Sequence, residues 1–353
     1  MAHTLKNLIK QVVELKGSDL HINTGIPPQI RVDGVLQAAS DQALTAKEAY
    51  TLSTEYLSPE QIARLEDERE LDLSFDVEGY TRIRGNIFWS RGNVAGAFRA
   101  IPYKIPKPEE LGLPPPAINL INKPRGLILV TGQTGSGKST SIASLLELIN
   151  ETRNEHIITV EDPIEYVFEQ KKCTINQREI DSDTHSFVKA LKYILRQDPD
   201  HVLVGEMRDL ETIRSAIIIA ETGHLVFATL HTNNAVQTIN RVIDVFPPHQ
   251  QDQVRSQLSF ILEGVISQQL LPCIGGGRAL GLELMLPTPG IRNLIREGKI
   301  HQIMAEIQMN QSATNMVTMD QSLAKLVKNS IIEHDEAVKH CIDIHELNTY
   351  LGS

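Results

Sequence analysis

Cysteine, aromatic side chains and surplus positive charge are all scarce in this chain, and each scarcity excludes something. The three cysteines, Cys173, Cys273 and Cys341, lie far apart and form no C-x-x-C pair. They offer neither a disulfide framework nor a zinc knuckle, so a reducing, cytoplasmic setting is expected. Aromatic residues make up 5% of the sequence, and the formal net charge is −10. No global basic field invites nucleic acid, and no aromatic-rich basic stripe offers stacking platforms, so no nucleic-acid partner is expected. No apolar run approaches the roughly 18 residues that a bilayer-crossing helix needs, so no transmembrane segment is expected. The N-terminus has no signal-peptide core. Low-complexity segments and internal repeats are also missing. What remains is a chain of 353 residues, 41% hydrophobic and 22% charged. That balance is globular, and the length exceeds one ordinary core, which implies two domains.

The first hundred residues read as a small α+β unit. Leu5, Leu8, Ile9, Val12 and Val13 have helical spacing. Ile30-Arg31-Val32, Asp33-Gly34 and Val35-Leu36 read as a β-hairpin around a tight Asp-Gly turn. Residues 45–68 read as helix. Strands are expected at Leu71–Val77, Tyr80–Phe88 and Val94–Ile101, with Glu78-Gly79 turning between the first two. Six of the 17 prolines lie between Pro102 and Pro116. That density disfavours regular structure and reads as a linker over 102–117 between domains 1–101 and 118–353. Beyond it, apolar runs at Leu127–Thr131, His156–Val160, Val202–Gly205 and Leu225–Thr229 alternate with helical stretches. This is the rhythm of a parallel sheet covered by helices. After about residue 290 helix dominates.

The chemistry starts at Gly132-Gln133-Thr134-Gly135-Ser136-Gly137-Lys138-Ser139, a full match to G-x-x-x-x-G-K-[ST]. An apolar run leads in and a helical stretch leads out, the context the phosphate loop requires. Backbone N–H groups and the positive helix end then face the phosphates of ATP, with Thr140 next in line. Lys138 is expected to reach the β/γ-phosphates, and Ser139 to hold Mg2+.

Three further elements follow strand-like runs, where ligands bind in parallel sheets. Glu161-Asp162-Pro163-Ile164-Glu165 supplies carboxylates that can orient or deprotonate a water, or else a capped turn with a solvated acid. His201-Val202-Leu203-Val204-Gly205-Glu206 ends in an acid placed to bind Mg2+ through water or to polarise the attacking water. Asp209 reads as the cap of the next helix. His224 and His231 frame the fourth run, and His231 is placed to sense the γ-phosphate. Arg82 and Arg84 alternate with Ile83 on one strand and so share a face. By pattern alone that face reads as solvated; the alternative is a finger acting in trans on a neighbour's γ-phosphate. Ile291, Leu294 and Ile295 share one helical face and Arg292 and Arg296 another, with Gly298 as C-terminal cap, an ordinary surface helix.

Taken in order, these boxes resemble the secretion-type (type II/IV) ATPase family over nearly the whole chain, and within it the branch that retracts type IV pili. Gly17-Ser18-Asp19-Leu20-His21 resembles the N-terminal signature, Glu161 to Glu165 the Asp box, and Val204-Gly205-Glu206-Met207-Arg208-Asp209 the atypical Walker B. Thr229-Leu230-His231-Thr232 is similar to the His box, and Ile291 to Glu297 to the C-terminal motif associated with retraction. The resemblance implies a PAS-like domain followed by a RecA-like ATPase domain with a helical C-terminal part, assembled as a homo-hexameric ring. Nucleotide is expected between the two domains of one subunit, aided by the neighbour's first domain. It further implies that Arg82 and Arg84 approach the γ-phosphate with Arg99 nearby. Glu165 is implied as the water-activating base, with Glu161 as second candidate, and Glu206 as the Mg2+ partner. Implied partners are an inner-membrane pilus platform protein and a paralogous retraction ATPase; the implied location is cytoplasmic, peripheral at the inner membrane. Two positions depart from the usual pattern. Gln133 stands where Pro is more common, and Gly290 where Ala is. The four-cysteine zinc element and longer N-terminal region of assembly-side relatives are both missing, which favours retraction over extension.

Overall fold

The computed structural model describes residues 4–32, 34–77, 80–101 and 104–352. The expected turns at Asp33 and Glu78-Gly79, and the first linker residue, Pro102, lie outside them. The chain divides into two compact units, Met1–Lys104 with Glu165–Val167, and Ile105–Ile164 with Phe168–Ser353.

In the first unit, α1 (Leu5–Glu14) is capped by the Thr4 hydroxyl, which accepts from the Asn7 amide. Leu5, Leu8, Ile9 and Val12 are buried, whereas Val13 falls on the shoulder of the stripe and is exposed. Strands β1 (Asp19–Ile22), β2 (Gln29–Val32) and β3 (Val35–Ala38) precede α2 (Ala46–Thr54) and α3 (Pro59–Glu68). The single helix expected over 45–68 is therefore two. Pro59 disfavours helical geometry at Ser58 but is well suited to a helix start, and Ser58 and Gln61 form a capping box there. Strands β4 (Glu70–Val77), β5 (Thr81–Ser90) and β6 (Asn93–Ile101) complete an antiparallel sheet of order β3-β2-β1-β6-β5-β4. The helices and the inward row Ile30, Leu20 and Phe98 share one core. This is the α+β architecture expected of the first domain.

The second unit opens with residues that form neither helix nor strand. Then comes a short helix, α4 (Pro115–Ile118), entered at Pro114. The run of three prolines expected to exclude regular structure instead starts a turn of helix, because the first-turn positions need no N–H donor. A seven-stranded sheet follows. It comprises β7 (Gly126–Thr131), β8 (His156–Glu161), β9 (Thr174–Glu179), β10 (His201–Val204), β11 (Leu225–Leu230), β12 (Leu262–Pro272) and β13 (Arg278–Met285). Its order is β13-β12-β7-β11-β10-β8-β9, parallel except for β13, the last in the chain. Every residue of β7, β10 and β11 is buried. Helices α5 (Lys138–Thr152), α6 (Phe187–Ile194), α7 (Leu210–Glu221), α8 (Ala235–Asp244), α9 (Pro248–Ile261) and α10 (Pro289–Arg296) accompany the sheet. Helices α11 (Ile303–Met309), α12 (Gln311–Thr314), α13 (Met319–Lys328), α14 (His334–His340) and α15 (Ile344–Leu351) form the helical end, with α13–α15 closing a small core around Leu271 and Leu323. This is the α/β plan expected of the second domain. Sequence patterning missed β1, β9, β12 and β13. β1 has only four residues and β9 reads Thr-Ile-Asn-Gln-Arg-Glu, too polar to stand out.

Candidate functional site

The parallel strands deliver their C-terminal ends to one edge of the sheet, and neighbours in the order β7-β11-β10-β8 place their following residues side by side. At the end of β7 the chain turns through Gly132–Gly137 into α5. Gly132 has φ +143°, and a Cβ there would lie 2.4 Å from the Gln268 backbone oxygen and 2.5 Å from the Ser136 hydroxyl. Only glycine allows this closeness. Gly137 is the N-cap of α5 at φ +88°, and no side chain among the described residues caps that end. The first-turn amides are therefore left for a ligand. The Lys138 ammonium folds back to donate to the carbonyls of Gly132 at 2.9 Å and Gln133 at 3.0 Å. The buried Ser136 hydroxyl finds no partner among the described residues. Gln133, Thr134 and Gly135 are exposed, while Ser139 and Thr140 are half-buried on the first turn. A glycine cradle, uncapped amides and an orphaned hydroxyl suit a bound polyphosphate.

Glu206 and His231 come together. They follow neighbouring strands β10 and β11, and the Met207 amide donates to the Thr229 carbonyl, which locks the two exits. His231 Nε2 lies 3.0 Å from Glu206 Oε1, and Arg208 Nη2 donates to Glu206 Oε2 at 2.7 Å. The Arg208 hydrogen bond, with burial opposing and His231 adding, holds the Glu206 carboxyl below its ordinary value. Asp162, just beyond β8, contributes to the field on Arg208. In the sequence Arg208 is only one letter of a box; its role as partner to Glu206 arises from a turn whose shape no spacing rule gives. Asp209 caps α7 as expected, accepting from the Thr212 amide at 2.8 Å.

The two Asp-box glutamates differ. Glu161 closes β8, is buried, and accepts from Thr159 Oγ1 at 2.6 Å and from Gln177 Nε2 at 3.3 Å. Glu165 is exposed in the loop after the cis Asp162-Pro163 bond. His224 stands apart from His231. It precedes β11, so it lies at the opposite end of that strand, roughly 20 Å away at the rise of an extended chain. Its Nδ1 sits 3.0 Å from the Ile219 carbonyl and 3.2 Å from the Thr222 hydroxyl, at the end of α7. Of the two candidate histidines, only His231 follows β11 and shares the edge with Glu206.

In the first unit, register pairing lines up Arg31, Asp19, Arg99, Arg84 and Ser74 across five strands on the face opposite the core. Arg82 lies on that face too, two residues from Arg84. Arg82 pairs with Asp76 at 3.1 Å and Arg99 with Asp19 at 2.8 Å, while Arg84 is exposed. Burial opposes ionisation of Asp19, yet the Ser18 and Arg99 hydrogen bonds and the Arg99 charge keep its carboxyl below its ordinary value. On α10, Ile291 and Ile295 are buried as expected. Arg292 is not a plain surface residue. It donates to the last-turn carbonyls of Ser259 and Phe260 and to Glu263, capping α9.

A wholly buried strand that runs through a glycine-rich loop into a helix, flanked at the same edge by Glu206, His231 and Glu161, defines the class as a P-loop nucleotide-binding protein. The profile of the family described as "Type II/IV secretion system protein" matches residues 1–328, and the chain belongs to that family. It is 49% identical over 320 residues to the "Type IV pilus retractation ATPase PilT" of Pseudomonas aeruginosa, covering 91% of this chain and 93% of that one. It is 46% identical over 311 residues to the "Twitching motility protein" of Neisseria gonorrhoeae, covering 88% and 83%. The crystal structure of the pilus retraction motor PilT with bound ADP superposes with a TM-score of 0.93 at 49% identity, covering 98% of this chain and 99% of that chain. Among the described residues no helix is long and apolar enough to cross a membrane.

Proposed function

We propose that this chain is an ATP-hydrolysing motor that drives type IV pilus retraction. The observation that carries the reading is the phosphate loop between buried β7 and α5, set in a chain nearly half identical, over nine-tenths of its length, to a pilus retraction ATPase. In this reading residues 1–101 form the first domain, 102–117 the linker and 118–353 the motor domain. Six copies form a ring in the cytoplasm, against a pilus platform protein of the inner membrane.

ATP binds with its phosphates against the amides of Gly132, Thr134, Gly135, Ser136 and Gly137 and of Lys138, Ser139 and Thr140. The Lys138 ammonium exchanges its loop carbonyls for phosphate oxygens. Among the described residues no three metal-ligating side chains gather, so an all-protein cage is absent. A hydroxyl on the first turn of α5 and an acid beyond β10, at the same sheet edge, suit Mg2+ carried on a nucleotide, and Ser139 and Glu206 are the residues that would hold it. When bound, that ion neutralises phosphate charge. Glu165 takes the proton of a water whose oxygen attacks the γ-phosphorus in line, and the bond to the β–γ bridging oxygen breaks. Glu165 is preferred to Glu161 because Thr159 and Gln177 already occupy the latter. His231, tied to Glu206, registers whether the γ-phosphate is present. Arg82, Arg84 and Arg99 of a neighbouring subunit stabilise the charge that develops on the transferred group. Phosphate loss relaxes these contacts, and the change passed around the ring pulls pilin subunits back to the membrane.

The test is phosphate release by the size-fractionated oligomer, together with twitching of a strain that lacks its retraction motor and is given this chain. Release abolished by Glu206→Ala, with twitching restored by the native chain, is the expected result. Oligomer that binds ATP and never cleaves it would end the proposal.

A further inference from the structure

A buried polar row crosses the second unit's sheet. Thr131, the last residue of β7, pairs with Leu230 of β11 on one side and Ser267 of β12 on the other, and Ser267 pairs with Glu283 of β13. Register partners share a face, so these side chains stand in line. The Thr131 hydroxyl donates to that of Ser267 at 3.0 Å. The row thus begins one residue before both the phosphate loop and His231.

Its far end is Glu283, which is fully buried. Glu283 Oε1 accepts the Ala235 N–H at 2.7 Å, and Oε2 finds no partner among the described residues. Ala235 is the first residue of α8, four positions after His231. The helix already has an ordinary cap, the Asn234 side chain accepting from the Gln237 amide at 2.8 Å. A second anchor made of a buried, half-satisfied carboxylate is an expensive way to hold a helix that is capped already. What it adds is a fixed point reached from β13, at the end of the short segment Thr232-Asn233-Asn234.

We propose that Glu283 is a positioning residue: by gripping the first amide of α8 it fixes the segment that runs back to His231 and so sets His231 against Glu206. This rests on the reading that Glu206 and His231 serve ATP hydrolysis. The groups facing Glu283 are the α8 amide, the uncharged Ser267 of β12, Asp320 of α13 and Glu346 of α15. Burial first, with Asp320 and Glu346 adding and the Ala235 hydrogen bond opposing, pushes its carboxyl up to about 7. The carboxylate is the stronger acceptor. The grip, and with it turnover, therefore tightens as pH rises through that value.

Phosphate release and nucleotide affinity of the full-length oligomer test this with two variants. Glu283→Met keeps the volume and removes the acceptor. Glu283→Gln keeps an amide oxygen and cannot ionise. The Met variant is expected to lose about tenfold in kcat at unchanged nucleotide affinity, the low end of what a charge-assisted hydrogen bond contributes. The Gln variant recovers most of that at pH 6 and lacks the wild-type rise in kcat between pH 6 and 8. If the Met variant does not fold, the Gln profile decides alone. A Gln profile parallel to wild type, or a Met variant with unaltered kcat, overturns the proposal. Wild-type oligomer that releases no phosphate would take the hydrolytic reading down as well, and is told apart because it needs no variant.

Discussion

Replacing Glu283 by Gln should stabilise the protein, and by an amount that depends on pH. The carboxyl shifts from 4.5 to about 7 because it is buried beside Asp320 and Glu346. A raised pKa in an acid means that the folded state binds the proton more tightly than the unfolded one. Wild-type stability is then full below pH 4.5, falls as pH rises from 4.5 to 7, and is level above that. The fall, at about 1.4 kcal/mol per unit, is on the order of 3 kcal/mol. Gln stays neutral throughout and escapes it. The difference in midpoint between Gln variant and wild type should therefore be smallest near pH 4.5 and should grow to about 5–10 °C at pH 8, for a domain of this size. Thermal unfolding followed across that pH range, at matched protein concentration and without nucleotide, measures it. A difference that stays constant between pH 5 and 8, or that shrinks as pH rises, would refute the assignment of an ionising, buried Glu283.

Gly132→Ala should cost nucleotide affinity at least tenfold by calorimetry. A Cβ there meets the Gln268 backbone oxygen at 2.4 Å, and φ +143° is strained for any side chain. Glu165→Gln should lower turnover by two orders of magnitude or more, as loss of a general base does, while retaining ATP binding. Glu161→Gln, by contrast, should chiefly loosen the Thr159–Gln177 cluster; equal loss of turnover with retained stability would reverse the two roles. Arg82→Ala and Lys138→Ala subunits, each impaired alone, should recover partial turnover when mixed, as the proposed action of Arg82 in trans requires. No recovery at any ratio would count against that.

Contiguity decided how much was legible in the sequence. The phosphate loop is eight consecutive residues between an apolar run and a helix, so neither its position nor its glycines needed tertiary information. The buried parallel strands were equally plain, because burial on both faces leaves an unbroken apolar run. Apolar periodicity runs unbroken through 45–68, and the break into two helices is carried by Ser58-Pro59 alone. The Glu206–His231 contact could be placed only at a shared edge, because the pair meets through the adjacency of β10 and β11. Glu283 was invisible for a further reason. It lies on β13, whose hairpin with β12 is not joined by a turn of the tight two-residue kind, and a glutamate in Arg-Ala-Leu-Gly-Leu-Glu-Leu-Met gives no hint of complete burial. The role of Arg292 is not legible in its spacing, because helical periodicity describes its own helix and not the end of α9 that it caps.

Two of the three candidate arginines of the first unit are already seated on carboxylates. Arg82 rests on Asp76 and Arg99 on Asp19, in pairs partly open to water. Contacts of that kind contribute on the order of 0–1 kcal/mol. In the proposed reading, leaving one for a phosphate oxygen exchanges one anion contact for another, so little is lost on quitting the carboxylate. On that proposal the arrangement would serve as a latch that a single cleaved bond can flip. A repeating engine needs its grips to let go as readily as they take hold, and a pre-seated guanidinium meets that need where a free one would cling.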